Sequence, residues 1–498
     1  MSGNSWEKVP IEPFNYELCA ELHNRIFLIA WTATGRPLKN NPPSTWWEHF
    51  QPSDELAARY HPRLVRFFQR VYYHPEAPEF FYYLDNLNTP DSLISERFNY
   101  SCEARDCYIH LHRATSWNEP YGDEWGIIFD QITCQAVFAE ERDHTHPILD
   151  YGYGFRPLED IYADYLQMIT ENKVEVQVNG KWALGDIGTD KLAIDTISPI
   201  GPWRIHTFTA ADVDKATQAF QSLLYEIEIR LPRGGSSSSD TAGSESFPSS
   251  SLPWSDPIVR SEARLVPNSF INAFCTATGT TTISPVRYRY IAPGIRLPTE
   301  AEFRAQPFQN AEDRYKLPCS LPLARPIRPI FLFLADNPNP NTPGHTATTF
   351  PNPDRCLNSL VSNLGDENRE TPAPRPAGLY LTADDRGVKS CENGCRLLLP
   401  FGIGRHGWAR LSDGTCMGGN AWLGQDPADA NYDLYQCEFN GFIPLRDTPL
   451  HQVLESWAER VRAGDWTVGV DGVADGVERW READTEGGWR KYWVPVRW

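Results

Sequence analysis

Methionine, long apolar runs and positive charge are all scarce in this chain of 498 residues. Three methionines accompany 17 tryptophans, a ratio that favours rigid aromatic cores over adaptable Met-lined surfaces. No run approaches the roughly 18 apolar residues of a membrane-spanning helix. Lysine and arginine number 46 against 65 acidic residues, which gives a net charge of −19. Because an acidic field repels phosphate backbones and anionic headgroups, we expect neither nucleic-acid binding nor membrane binding.

A recognisable targeting signal is also missing. The first ten residues contain neither a basic stretch followed by an apolar one nor an Arg-rich amphipathic pattern. The 11 cysteines are odd in number and widely scattered, which favours free, buried thiols over a disulfide framework. We therefore expect a cytoplasmic or nuclear protein.

No catalytic signature accompanies these absences. The chain lacks G-x-S-x-G and any cysteine in a recognisable nucleophile context, and nothing indicates a particular cofactor. Residues Gly402 to Gly407 match G-x-G-x-x-G, but the residues that follow predict a strand and a turn, whereas a dinucleotide site requires a helix there. A Gly-rich hairpin is the favoured interpretation. We expect a binding or regulatory interaction module; the alternative is an enzyme with its site in a cleft between two halves.

The length and the 41 prolines predict two domains with many short connections. Short apolar runs alternate with amphipathic segments, which predicts an α+β fold of short antiparallel strands packed by helices. We place an N-terminal domain at 1–232 and a C-terminal domain at 253–498. A Gly/Ser-rich linker, or alternatively a long loop, spans 233–252 between them. An irregular Pro/Asn-rich insertion is expected near 336–376.

Two segments, 157–176 and 449–468, resemble each other position by position. Each begins with Pro-Leu, keeps apolar residues at helical spacing, and reaches a residue suited to ending a helix, Asn172 or Gly464, before strand-like alternation. We predict helices over 158–171 and 450–463, and an internal repeat that gives two related halves. The alternative is that two unrelated amphipathic helices share the same start and stop residues.

Four short blocks resemble a family of filamentous-fungal proteins from about residue 120 onward. They are 227–232, 290–294, 398–404 and 481–485. This resemblance implies no activity, cofactor or partner. A looser similarity is to the SMI1/KNR4-like fold, in which a short strand pair leads into a closing amphipathic helix. Here the strand pair would be 395–411 and the helix 449–462.

Metal-capable side chains are concentrated within 45 residues of the first half. His110 and His112 are two apart on a predicted strand and would face the same side, and His144 and His146 repeat that spacing. These four histidines are candidate metal ligands. Because no C-x-x-C or H-E-x-x-H motif fixes a ligand set, ordinary core and loop residues are the alternative.

The best candidate for a ligand-binding site is the turn around Arg405, His406, Trp408 and Arg410. If 402–407 forms a hairpin tip and 408–411 a strand, Arg405 and His406 lie on the exposed turn of an acidic protein. Two cationic donors at that position favour an anionic ligand or an acidic segment of a protein partner. The alternative is purely structural, with an arginine stacked on Trp408 and paired with Asp413.

Overall fold

The computed structural model describes sixteen stretches of the chain: residues 14–35, 43–82, 84–94, 106–114, 125–140, 154–178, 181–182, 202–232, 251–281, 286–307, 329–336, 376–381, 392–417, 432–437, 447–495 and 497. They belong to two compact units. The first comprises 1–189, 197–206 and 497–498, and the second comprises 190–196 and 207–496. Both combine helices with predominantly antiparallel strands, which confirms the predicted α+β class.

The first four helices of the first unit begin where the sequence supplies a side-chain cap. Their bounds are α1 Tyr16–Ala33, α2 Trp46–Phe50, α3 Asp54–Ala57, α4 Pro62–Phe68, α5 Pro90–Leu93 and α6 Leu158–Thr170. The Asn15 side chain accepts a hydrogen bond from Leu18 N at the start of α1, and Thr45 and Glu48 form a reciprocal capping box at α2. Pro62 occupies the first turn of α4, where the missing N–H costs nothing.

Three small sheets complete the first unit. Their strands are β1 Ser44–Thr45, β2 Tyr72–Tyr73, β3 Leu84–Leu87, β4 Tyr108–Ala114, β5 Trp125–Asp130, β6 Gln135–Glu140, β7 Val174–Val178, β8 Lys181–Trp182 and β9 Trp203–Ile205. The sheet orders are β1-β2, β3-β4-β5-β6 and β8-β7-β9, and all the pairs are antiparallel. A register irregularity between His110 and His112 interrupts the alternation of β4.

The second unit begins with a long helix, α7 Ala210–Glu228. The Thr209 hydroxyl accepts from Asp212 N while the Asp212 carboxylate accepts from Thr209 N, so aspartate completes the capping box in place of the usual glutamate. The ring of Phe220 lies against those of Trp254, Phe274 and Phe333. Helix α7 is therefore part of the core of the second unit.

An eight-stranded sheet forms the centre of this unit. Its strands are β10 Tyr290–Ala292, β11 Ile295–Arg296, β12 Ile330–Ala335, β13 Gly378–Leu381, β14 Cys395–Leu398, β15 Asp433–Leu434, β16 Val468–Gly469 and β17 Gly472–Val473. They follow the order β15-β14-β13-β12-β11-β10-β17-β16, and only β10 and β17 pair in parallel. All six residues of β12 are buried, as expected for a central strand covered on both faces.

Further helices pack around this sheet. They are α8 Pro257–Glu262, α9 Phe270–Thr281, α10 Glu300–Arg304, α11 Leu450–Ala463, a 3₁₀ helix Val477–Asp484 and α12 Trp489–Tyr492. Trp457 of α11 is buried against Phe333, Trp466 and Trp480, and its indole N–H donates to Tyr435 OH at 3.0 Å. These aromatic contacts form the closing layer of the second core.

Both predicted repeat helices are present, as α6 and α11. Each follows a proline N-cap, and the residues that end them, Asn172 and Gly464, adopt left-handed φ values of 57° and 77°. A strand follows each helix, β7 after α6 and β16 after α11. The local pattern is thus confirmed, whereas duplication of whole halves stays a prediction.

The division between the units lies at His206/Thr207, before the predicted linker. Helix α7 precedes that linker in sequence but belongs to the second unit. Residues 233–250 of the linker and 337–375 of the predicted insertion lie outside the described residues. Within the described residues, no helix is long and apolar enough to cross a membrane.

Candidate functional site

The candidate ligand site lies in a loop that turns around two glycines of the second unit. Gly404 and Gly407 have φ values of 101° and 76°, a region that residues with a Cβ rarely enter. Gly407 N donates to Gly404 O at 3.1 Å and closes the turn. A Cβ on Gly404 would also lie 3.0 Å from the Cβ of Met417. These two positions therefore require glycine to form this loop.

The carboxylate of Asp484 fills the centre of the loop. Its Oδ2 accepts from Gly404 N at 3.0 Å and His406 N at 2.8 Å, and its Oδ1 accepts from Trp408 N at 2.9 Å and Ala409 N at 3.1 Å. Asp484 is 5% exposed. Four converging backbone N–H groups form an anion-binding nest, and here the protein's own side chain occupies it.

The predicted hairpin tip is shifted along the chain. Its arms are 409–411 and 415–417, joined by hydrogen bonds from Leu411 N to Thr415 O and from Met417 N to Ala409 O. The turn forms at Asp413 and Gly414, because the Asp413 carboxylate accepts from Thr415 N at 2.8 Å and Gly414 adopts a φ of 94°. No helix follows the G-x-G-x-x-G segment within 408–417, so the geometry of a dinucleotide site is not formed there.

The four predicted ligand-binding side chains separate into two groups. Arg405 and His406 are exposed at the tip of the loop, and Trp408 is half-buried. Arg410 is only 8% exposed, with its guanidinium 5.1 Å from the ring centroid of Trp489 and its Nη1 donating to Gly407 O. The predicted arginine–tryptophan stacking therefore occurs, but with Trp489 in place of Trp408. Of the four predicted residues, only Arg405 and His406 have exposed side chains.

More cations and aromatic rings surround this loop. Arg481 lies 3.8 Å from the ring centroid of Phe401, and Arg490 lies 4.5 Å from that of Trp489. Trp493 Nε1 donates to Leu411 O at 3.0 Å. The exposed Arg405 and His406, together with the flanking Arg481 and Arg490, form the loop-tip surface.

Sequence reasoning did not identify Asp484 or Trp489, which lie about 80 residues beyond the loop. The hydrogen bond from Gly404 N to Asp484 joins two segments that are distant in sequence, where helical or strand periodicity gives no signal.

The metal candidates are differently placed. His112 Nδ1 lies 2.9 Å from Asp85 O and its Nε2 lies 2.9 Å from Tyr162 OH, so both ring nitrogens are occupied by hydrogen bonds. His110 is buried, and a register irregularity separates it from His112. The two histidines therefore do not follow the regular alternation from which a shared face was predicted. His144 and His146 lie outside the described residues. No group of three His, Cys, Asp or Glu side chains suited to a metal occurs in the part of the chain that the structure describes.

A second buried imidazole lies beside His112 in the core of the first unit. The ring of His23 is 5.8 Å from that of His112 and stacks 4.6 Å from Phe80. Its Nδ1 faces the Asn24 carboxamide oxygen at 3.3 Å, which makes Nδ1 the protonated nitrogen. His23 Nε2 has no hydrogen-bond partner among the described residues.

Burial keeps both imidazoles neutral. It lowers the pKa of His112 to about 3 and lowers that of His23 well below its ordinary value, with the neighbouring His112 adding to the effect. The same burial raises the pKa of Tyr162. The polar groups of this cluster are therefore structural, and burial opposes protonation of both imidazoles.

Comparison with known protein families, with curated proteins and with solved structures finds no match to this chain. The resemblances to fungal proteins and to the SMI1/KNR4-like fold stay predictions.

Proposed function

We propose that this protein is a binding or regulatory interaction module whose second unit captures an acidic segment of a protein partner at the loop-tip surface. The observation that carries the proposal is the loop itself. Four hydrogen bonds from backbone N–H groups to one carboxylate fix its conformation, while Arg405 and His406 stay exposed at its tip. A pre-organised loop loses little conformational entropy on binding, which favours recognition by the side chains that it presents.

Charge complementarity supports an acidic partner. The loop-tip surface contributes the cations Arg405, Arg481 and Arg490 on a chain with a net charge of −19. Glu478 lies within hydrogen-bond distance of Arg481 and neutralises part of this charge. The Asp484 carboxylate already occupies the backbone donors, so recognition of a partner would depend on the side chains. Such binding should weaken as ionic strength rises.

Titration of the full chain with a fluorescein-labelled decaglutamate peptide tests the proposal. We expect Arg405→Ala with His406→Ala to reduce affinity at least tenfold at an unchanged melting temperature, because both side chains are exposed. Arg304→Ala is the matched control, since it removes a half-exposed arginine of the same unit that is paired with Glu262 and Glu300.

Two results would contradict the proposal. One is equal peptide affinity in the wild-type protein and the double variant. The other is no measurable binding by the wild-type protein at millimolar peptide in low salt. Arg410→Ala is unsuitable for this test, because Arg410 is buried and its loss should change stability.

A further inference from the structure

Three arginines lie along helix α4 of the first unit and the turn that follows it. Arg63 and Arg66 belong to α4, one helical turn apart, and Arg70 lies two residues beyond its last residue, Phe68. Tyr16, at the start of α1, lies beside two of them. The Cζ atoms of Arg66 and Arg70 are 5.7 Å and 5.0 Å from the centroid of its ring, both within range of a cation–π interaction.

Further contacts hold these side chains in place without using most of their donors. Arg63 Nη1 donates to Phe14 O at 3.1 Å, Arg66 Nη1 to Tyr16 OH at 3.4 Å and Arg70 Nη1 to Arg66 O at 3.0 Å. A guanidinium has five N–H donors, so most of them stay available for a ligand. Arg66 and Arg70 are exposed and Arg63 is half-buried, so the donors can be reached from solvent.

Few carboxylates pair with these arginines. Among the described residues, only Glu17 places a carboxylate within 4.0 Å of these arginines, at 3.8 Å from Arg70 Nη2. Three guanidinium groups and one carboxylate give a local charge of 3 − 1 = +2 on a chain whose net charge is −19. Such a concentration of positive charge on an acidic protein indicates a site for an anion of matching charge.

We propose that Tyr16, Arg63, Arg66 and Arg70 form a recognition site for a phosphate monoester carried on a peptide. A phosphate monoester has a charge of about −1.5 to −2 at neutral pH and three acceptor oxygens, which match this charge and the forked guanidinium donors. A carboxylate supplies about half to two thirds of that charge and one oxygen fewer. The site lies in the first unit and is independent of the loop-tip surface.

The location of the site favours a peptide over other carriers of phosphate. An anionic membrane would repel a chain of net charge −19 as it approached. A free phosphate ion would gain only the charge-assisted hydrogen bonds, whereas a peptide chain can also lie along the α1–α4 face and contact the half-buried ring of Tyr16.

Isothermal titration of the full chain with Ac-Gly-Gly-phosphoSer-Gly-Gly-amide tests the site, with the unphosphorylated peptide and an Asp-containing peptide as comparators. We expect the phosphopeptide to bind at least tenfold more tightly than the Asp peptide. Arg66→Ala with Arg70→Ala should reduce its affinity at least tenfold. Arg66→Lys with Arg70→Lys should weaken binding too, because lysine keeps the charge but loses the fork.

Arg25→Ala is the matched control, since Arg25 is an exposed arginine of α1 in the same unit. Its affinity for the phosphopeptide should equal that of the wild-type protein, and circular dichroism should show unchanged melting for every variant. Equal binding of the Asp peptide and the phosphopeptide would overturn the proposal, as would binding that survives loss of Arg66 and Arg70. Inorganic phosphate binding as tightly as the phosphopeptide, or capture by phosphatidylserine vesicles, would overturn the assignment to a peptide.

Discussion

Mild acid should destabilise the first unit selectively, because two uncharged imidazoles are enclosed in its core. His23 is 1% exposed and His112 is fully buried, and aromatic rings surround both. The other titratable groups near this pair are His110, Tyr162 and the Cys19 thiol, which donates to Glu159. The hydrogen-bond partner of His23 is the Asn24 carboxamide and not a carboxylate.

Proton linkage determines whether acid raises or lowers the stability of the first unit. An unfolded histidine has a pKa of about 6.5, whereas burial lowers the pKa of His112 in the folded protein to about 3. The unfolded state therefore takes up the proton first as the pH falls. The stability present above about pH 6.5 is lost progressively between pH 6.5 and about 3.

For His112, the size of the pKa shift determines how much stability is lost at a given pH. Each pH unit within this window costs about 1.4 kcal/mol, so the loss at pH 5 is about 2 kcal/mol from this one residue. His23 adds a loss of the same sign, since its pKa is also lowered by burial. Protonation at His23 Nε2 would create an N–H group without an acceptor.

Hydrogen exchange with mass spectrometry, in increasing urea at pH 7.5 and pH 5.0, measures unfolding of the two units separately. Peptides from α1 and β4 should report a lower free energy of unfolding at pH 5.0, by at least 2 kcal/mol after correction for intrinsic exchange rates. His23→Gln should reduce proton uptake on unfolding by about one between pH 5 and 6. His49→Gln, which changes an exposed histidine of the same unit, is the control.

A pH dependence below 1 kcal/mol would refute this reasoning. It would show that the faces of Phe80 and the neighbouring rings stabilise an imidazolium as well as water does. The slope of stability against pH is decisive here, because it is independent of any loss that the substitution itself causes.

Three further predictions concern the second unit, each measured by urea unfolding. Trp457→Ala should cost about 3–5 kcal/mol, because a fully buried indole leaves a cavity; a loss within experimental noise would contradict its burial. Asp484→Asn should cost about 2–4 kcal/mol, since a carboxamide oxygen cannot satisfy four N–H donors and its own NH₂ group opposes them. Asp413→Asn, which changes the acceptor of the hydrogen bond from Thr415 N, should cost less. Thr209→Ala should cost about 1 kcal/mol by removing the cap of α7, and a neutral result would show that the Asp212 carboxylate suffices.

Local signals in the sequence predicted the two repeat helices well. Pro157 and Pro449 start α6 and α11, and Asn172 and Gly464 end them, because each signal depends on residues within one turn. The α+β class followed from the same alternation of short patterns. Contacts between distant segments were not predictable in this way.

The candidate site shows the limit of local reasoning most clearly. The glycines of 402–407 indicated a turn, but its conformation is fixed by Asp484, about 80 residues away. The tip of the hairpin lies instead at Asp413 and Gly414, where a side-chain acceptor and a left-handed glycine are adjacent in sequence, whereas the acceptor for the Gly-rich run comes from a distant segment. The spacing of residue types along the sequence does not indicate which of the two glycine-containing turns becomes the hairpin tip.

Helix α7 has a consequence for dividing this protein into pieces. A fragment covering 253–498 would lack the helix on which Trp254, Phe274 and Phe333 pack, together with the acceptor that Leu224 O provides for Tyr288. A single backbone cut between 232 and 251 would leave α7 joined covalently to the first unit and held in the second by non-covalent contacts alone, which are side-chain packing, hydrogen bonds and the Arg462–Glu226 ion pair. The two products should therefore co-elute as a nicked species in native buffer and separate only in denaturant. An expression boundary placed at Thr207 respects the cores, whereas one placed at the Gly/Ser-rich run divides one of them.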